Sequence, residues 1–219
     1  MTKLTLIIGN KNYSSWSLRV WIFLKQFGIE FTEKRIPLFT DTTDTQLEKY
    51  NSDFKVPVLI DGDLIIWDSL AILEYLSEQY LASNGLPNDT NQRAIARSVS
   101  AEMHSSFFNI RNDLPMNCRK SFNNISLSAQ TEKEIQRIKS IWQQCREKHG
   151  NSGDYLFGKY SIADAMFAPI VMRFNTYNIK LEGEAKKYSQ TILNQQHIIE
   201  WVKSSKQEKE IIDSEEIKT

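Results

Sequence analysis

An α/β half followed by an all-helical half is the fold class this sequence predicts, on three observations. A short aliphatic run, Leu4-Thr5-Leu6-Ile7-Ile8, leads within a few residues into an apolar-periodic helix. An Asp-Gly turn stands between two apolar runs, the pattern of a hairpin. Past a polar linker the periodicity is helical almost throughout.

Taken in order, the first run is rich in aliphatic side chains and reads as a strand. Residues 17–27 read as a helix, stopped by Gly28. Residues 29–36 read as a second strand and residues 44–50 as a short helix. Val56-Pro57-Val58-Leu59-Ile60 and Leu64-Ile65-Ile66-Trp67 flank Asp61-Gly62-Asp63 and form the hairpin. Asp68 and Ser69 are placed to cap a third helix, which sets Ile72, Leu73, Leu76 and Tyr80 on one face. Strand, helix, strand, helix, hairpin, helix, with a right-handed crossover, is the ordering of a thioredoxin-like domain. That domain is expected over residues 1–82. Gly, Pro, Asn and Asp crowd residues 83–90, as in a linker. Residues 91–219 are expected to be helical, with Ile135, Ile138, Ile141, Trp142 and Cys145 forming a core stripe. From about Lys203 onward many charges alternate with few apolar side chains, which reads as a solvated helix end or frayed coil.

Composition limits the function. Lys+Arg and Asp+Glu both total 27, so no net charge favours nucleic acid or an acidic membrane surface. No apolar run approaches the ~20 residues of a membrane span, and Met1-Thr2-Lys3 lacks the uncharged core of a signal peptide. Two cysteines, Cys118 and Cys145, make no disulfide framework, so a reducing cytoplasm is the expected location. His104, His149 and His197 have no ligand-like spacing, and no metal site is expected. His104 reads as a helix-surface or cleft residue.

Four segments carry chemistry or resemble segments that do. In Tyr13-Ser14-Ser15-Trp16-Ser17-Leu18-Arg19 two adjacent hydroxyls stand where strand gives way to helix. Helix capping is one reading. Stabilisation of an anion, including a thiolate, by the helix N-terminus is the other. Val56-Pro57 opens the hairpin, and a cis bond there would let Val56 pair its backbone with a peptide-like ligand. Asp68 and Ser69 either cap their helix or hold the charged end of a ligand. Ser161-Ile162-Ala163-Asp164 has the spacing of a capping box and is read as structural.

Ser14-Ser15-Trp16-Ser17-Leu18-Arg19, Lys55-Val56-Pro57, Asp68-Ser69-Leu70-Ala71-Ile72 and Ser161-Ile162-Ala163-Asp164, in this order and spacing, resemble a glutathione transferase over essentially the whole chain. The Ser-Ser-x-Ser-x-Arg pattern is most similar to the zeta class, which includes maleylacetoacetate isomerase. It also resembles a serine-type bacterial group with tryptophan at the Trp16 position. That group is further matched by Glu102-Met103-His104-Ser105 and Leu114-Pro115-Met116-Asn117-Cys118-Arg119. The resemblance implies glutathione as co-substrate, with Ser14 as the thiol-activating hydroxyl and Ser15 close behind. It implies Lys55 on the glycine carboxylate, Val56 and Pro57 as the backbone clamp, and Asp68 and Ser69 on the γ-glutamyl end. It also implies a homodimer, a detoxifying role and a small-molecule electrophile as second substrate. Two departures stand out. Phe54 replaces a small residue, and Trp16 replaces the zeta cysteine, which weakens an isomerase reading.

The electrophile is expected between the halves, against Met103, Phe107, Arg111, Arg173 and Tyr177. Arg173 and Tyr177 are four apart and share a helix face. Arg173 is read either as a holder of an acidic substrate group or as an internal salt-bridge partner. Met103 and Phe107, also four apart, have core packing as their alternative. The function so implied is conjugation of the glutathione thiolate to an electrophile. The alternatives are a glutathione-dependent cis–trans isomerase acting on a dicarboxylate and a glutathione-binding module without turnover. A glutaredoxin-like reductase is disfavoured, since no cysteine stands at the helix start.

Overall fold

The computed structural model describes residues 4–217. Met1-Thr2-Lys3, used above in reading location, and Lys218-Thr219 lie outside them. Strand β1 (Leu4–Ile8) leads to helix α1 (Ser15–Gln26), β2 (Phe31–Arg35) and the short α2 (Thr43–Leu47), which tightens into a single turn at Glu48–Tyr50. The hairpin β3 (Val58–Asp61) and β4 (Leu64–Trp67) turns at Gly62, with φ +60°, and α3 (Ser69–Leu81) closes the α/β half. The helical half contains α4 (Thr90–Ser105), α5 (Phe108–Asp113), α6 (Ala129–His149), α7 (Ile162–Thr176), α8 (Gly183–Leu193) and α9 (Gln196–Ser205). The fold class is the expected one: a four-stranded thioredoxin-like α/β half followed by an all-helical half.

The sheet runs β2-β1-β3-β4. β1 pairs parallel with β2, Leu6 opposite Glu33, and antiparallel with β3, Leu6 opposite Leu59. Because successive strand side chains point to opposite faces, β1 serves two cores. Leu4, Leu6 and Ile8 enter a large cluster shared with Trp142, Phe167 and Trp201 of the helical half. Ile7 joins Ile36, Leu47, Tyr50 and Val58 on the other face. α1 packs on α7 and α3. Val20 to Leu24 are all buried, so this helix is enclosed on every side rather than amphipathic. The predicted α6 stripe is buried throughout.

The linker is pinned where it crosses. Gly85 N–H donates to Ser77 Oγ at 3.0 Å, and Gly85 O accepts from Ile162 N–H at 2.8 Å. The α7 start beyond it is the expected capping box. Asp164 accepts the Ser161 N–H at 2.8 Å and hydroxyl at 2.9 Å, and the Leu156 N–H at 3.0 Å. Burial pushes its carboxyl up to about 6.

The tail differs from the expectation of a frayed coil. α9 continues to Ser205, and the residues after it fold back on the α/β half as a strap. The Glu208 carboxylate accepts Lys11 N–H at 2.7 Å and Asn12 N–H at 3.1 Å. Arg119 donates to Glu208 O at 2.6 Å and Glu210 O at 2.9 Å. Glu216 receives the Tyr13 hydroxyl and the Lys120 ammonium, both at 2.6 Å. Long-range polar bonds hold a segment whose own sequence has little to bury.

Candidate active site

The loop after β1 can press on the α1 start because Gly9 is bare. A Cβ there would meet Leu38 Cδ1 at 2.5 Å and Ser14 Cβ at 3.2 Å. Ser14 is the N-cap of α1. Its Oγ accepts the Ser17 N–H at 3.4 Å, and its hydroxyl donates to Ser17 Oγ at 2.7 Å. Ser17 Oγ also receives the Gly9 N–H at 3.0 Å. Ser15 Oγ accepts from Arg173 Nη2 at 3.3 Å, which leaves its proton uncommitted. The first turn of α1 holds no acidic side chain. Its N-terminal partial charge therefore has no anion of its own.

Both serines face a cavity of about 600 Å³ where the two halves meet. Lys55 and Val56 line it from the α/β half, Arg111 and Arg173 from the helical half. The Val56–Pro57 peptide is cis. Lys55 is exposed and, among the described residues, paired only with the equally exposed Asp53, so its ammonium is easily transferred to another anion. Grooves of about 1160 and 800 Å³ lie elsewhere, but neither is lined by these hydroxyls. Chemistry rather than size selects the site.

Other expected residues stand apart from this lining. Met103, Phe107 and Tyr177 are buried in the core, and the Tyr177 hydroxyl donates to Pro115 O at 2.8 Å. Asp68 and Ser69 begin α3 beside the cavity rather than in its wall. Asp68 has φ +73°, and its Oδ1 accepts from Leu70 N–H at 2.9 Å and Ala71 N–H at 3.2 Å. Its Oδ2 meets His104 Nε2 at 3.2 Å. Ser69 Oγ accepts from Arg19 Nη1 at 3.3 Å.

Trp16 links these two groups. It lines the cavity, meets His104 edge-on at 5.4 Å, and lies under the guanidinium groups of Arg19 at 4.3 Å and Arg111 at 4.7 Å. Arg111 is also tied to the carbonyls of Ser106 at 3.1 Å and Met103 at 2.5 Å, and Arg173 to those of Leu114 and Arg111. Burial pushes Arg173 down to about 10, with the Arg111 charge acting the same way, so it stays cationic at neutral pH. Burial likewise lowers Arg19, reinforced by Arg111 and Arg173.

Sequence reasoning did not find Phe39, Ile212 or Glu215 in this wall. Phe39 and Phe54 sit on left-handed backbone, φ +58° and +56°, with their rings exposed at the cavity. Ile212 and Glu215 arrive on the strap. The Tyr13 hydroxyl, also in the wall, donates to Glu216 and accepts from Arg119 at 2.8 Å, and burial raises its pKa. Burial also pushes the Cys118 thiol up to about 12, so it offers no thiolate.

Residues 13–79, from the first hydroxyls through most of α3, match the model of the glutathione S-transferase N-terminal domain. A probable maleylacetoacetate isomerase of Caenorhabditis elegans is 27% identical over 76% of this chain and 77% of its own length. These likenesses support a place in the glutathione transferase family. A dichloromethane dehalogenase of Methylophilus leisingeri is 42% identical over 64 residues, which are 28% of this chain and 24% of that protein. Among solved structures, a glutathione transferase homologue from Burkholderia with bound glutathione superposes with a TM-score of 0.70 at 22% identity, covering 93% of this chain and 98% of its own.

Glutathione is the co-substrate of this family. The residues here fit it in one specific respect. Arg19 is wholly buried behind Ser69 with its Nε unpartnered among the described residues, a positive charge backing the α3 N-terminus where a carboxylate would lie. Among the described residues no helix is long and apolar enough to cross a membrane.

Proposed function

We propose that this chain is a glutathione S-transferase that conjugates the glutathione thiolate to a small electrophile, using serine hydroxyls at the start of α1. The observation that carries the reading is the pair of hydroxyls facing a cavity from a helix N-terminus that has no acid of its own. An ordinary thiol titrates near ~8.5, and lowering it by ~1.5 units takes about 2 kcal/mol of preferential thiolate stabilisation. A hydroxyl bonded to a thiolate contributes roughly 1.5–3 kcal/mol, and the helix N-terminus up to ~1 kcal/mol. These meet the requirement without a dedicated base. The serine donates to sulfur and is not the nucleophile.

Both hydroxyls serve the sulfur, at different cost. Ser15 has its proton free and is polarised by Arg173. Ser14 must turn its proton from Ser17, giving up a neutral bond of about 1 kcal/mol, while Ser17 keeps the Gly9 N–H. Lys55 and Val56 serve the glycine and cysteinyl parts, and Asp68, Ser69 and Arg19 the γ-glutamyl end. The electrophile takes the side of the cavity bounded by Arg111 and Arg173.

The test is a Ser14→Ala, Ser15→Ala double variant assayed with glutathione and chlorodinitrobenzene. Loss of turnover with glutathione binding retained supports the assignment, and undiminished turnover refutes it. One observation favours a second reading, the glutathione-dependent isomerisation of a dicarboxylate: Arg111 and Arg173 share one wall. Assay of maleylacetone beside the chlorinated aromatic separates the two.

A further inference from the structure

The strap carries four part-buried carboxylates, Glu208, Glu210, Glu215 and Glu216, and one of them is unlike the rest. Glu208 is bonded to two backbone N–H groups, Glu210 to Arg35 at 2.7 Å, and Glu216 to Tyr13, Asn117 and Lys120. Each of these fastens the strap to the body. Glu215 fastens nothing. Among the described residues its carboxylate has no hydrogen-bonded or ion-paired partner, yet it is part-buried in the cavity wall, in the field of Arg173.

A part-buried carboxylate without a partner is costly, so its placement here calls for a reason. The bonds on either side decide where it points. Its N–H donates to Ile212 O at 2.9 Å in a tight turn, and the next residue, Glu216, is held by Tyr13 and Lys120. The strap therefore delivers one negative charge opposite Arg173, on the side of the cavity assigned to the electrophile.

We propose that Glu215 is a specificity-determining residue of the transferase reaction, rejecting electrophiles that carry a carboxylate and favouring neutral ones. This rests on the transferase reading above and deepens it. Arg173 already faces one carboxylate of the chain, so an acidic substrate meets a like charge where it would otherwise find a free guanidinium. The same charge opposes the dicarboxylate isomerase reading.

The experiment compares wild type with Glu215→Gln on two matched pairs. The first is kcat/KM for chlorodinitrobenzene and for its ring carboxylate. The second is Kd, by calorimetry, for S-hexylglutathione and for its terminal carboxylate. Glu215→Gln is expected to shift the acidic-to-neutral ratio about tenfold toward the acidic member in both pairs, equivalent to ~1.4 kcal/mol. Glu210→Gln, which changes the strap's charge equally but loosens a bond to Arg35 outside the cavity, is the control. A ratio within about twofold of wild type in Glu215→Gln, or an equal shift in Glu210→Gln, overturns the proposal. The calorimetric pair requires binding alone. Absent turnover with shifted Kd ratios sinks conjugation and keeps the role of Glu215, whereas binding of neither conjugate overturns both.

Discussion

The serine-capped starts of α1 and α7 have opposite endings. At α7 the N-terminus is closed by its own acid: Asp164 gathers the Ser161 N–H, the Ser161 hydroxyl and the Leu156 N–H, all within 3.0 Å and out of water. At α1 the serines cap and line a cavity, and no acid stands in the first turn. The same local chemistry is thus complete in one place and incomplete in the other. A completed cap is structure. A cap that leaves a hydroxyl proton and a helix dipole without an anion is a place for one from outside.

The comparison breaks most severely at the completed start. Asp164→Ala strands the Leu156 and Ser161 N–H groups, and each buried orphan costs about 1–3 kcal/mol. A loss of about 2–4 kcal/mol in denaturant unfolding is expected, and a loss under ~0.5 kcal/mol would mean that the α7 cap is not structural. The same carboxyl sharpens the contrast through pH. It titrates near 6 in the fold against an ordinary 3.8, so the native chain holds its proton more tightly than the unfolded chain. The resulting stability is complete below 3.8 and is lost as pH rises through about 6, some ~3 kcal/mol in all. Measured as the difference between Asp164→Asn and wild type, stability should drift toward the variant over that window. A flat difference contradicts the burial argument.

At the open start the expected effects fall on chemistry. The Ser14→Ala, Ser15→Ala double variant should lose about 30–100-fold in kcat/KM, the worth of roughly 2–3 kcal/mol of thiolate stabilisation. Of the single variants, Ser15→Ala should cost more turnover, because its proton is uncommitted. Ser14→Ala should cost about 1 kcal/mol of stability as well, because it is the cap. The reverse order in turnover would show Ser14 redirecting its proton on binding. Away from both starts, Arg119→Ala frees the strap from Arg119 at two carbonyls. Faster amide exchange across residues 208–216 is expected, with about 1–2 kcal/mol of stability lost, and unchanged exchange would mean that Arg119 does not hold the strap.

What the sequence made legible follows the range of the forces involved. β1, α1, the hairpin and α3 follow from local periodicity and turn residues, because each element's burial pattern is written in its own few residues. The capping box at Ser161 and Asp164 was legible for the same reason. The strap was not. Residues 206–217 look solvated because their bonds run to Lys11, Asn12, Arg119 and Lys120, far away in sequence and invisible to any local pattern. In the site, Ser14, Ser15, Lys55, Val56, Arg111 and Arg173 come together as lining. Met103, Phe107 and Tyr177 show why helical spacing alone is a poor guide to a pocket, since the same spacing describes a core face. Phe39 and Glu215 had no sequence signal, because a loop and a folded-back tail place them.

The most direct test of the account is the ionisation of glutathione sulfur on the protein, followed by ultraviolet thiolate absorbance of the saturated complex across pH. The account predicts a bound thiol titrating about 1.5 units below the free one, a shift that the Ser14→Ala, Ser15→Ala variant abolishes. A bound thiol that titrates where free glutathione does, or a shift that survives in the double variant, contradicts it.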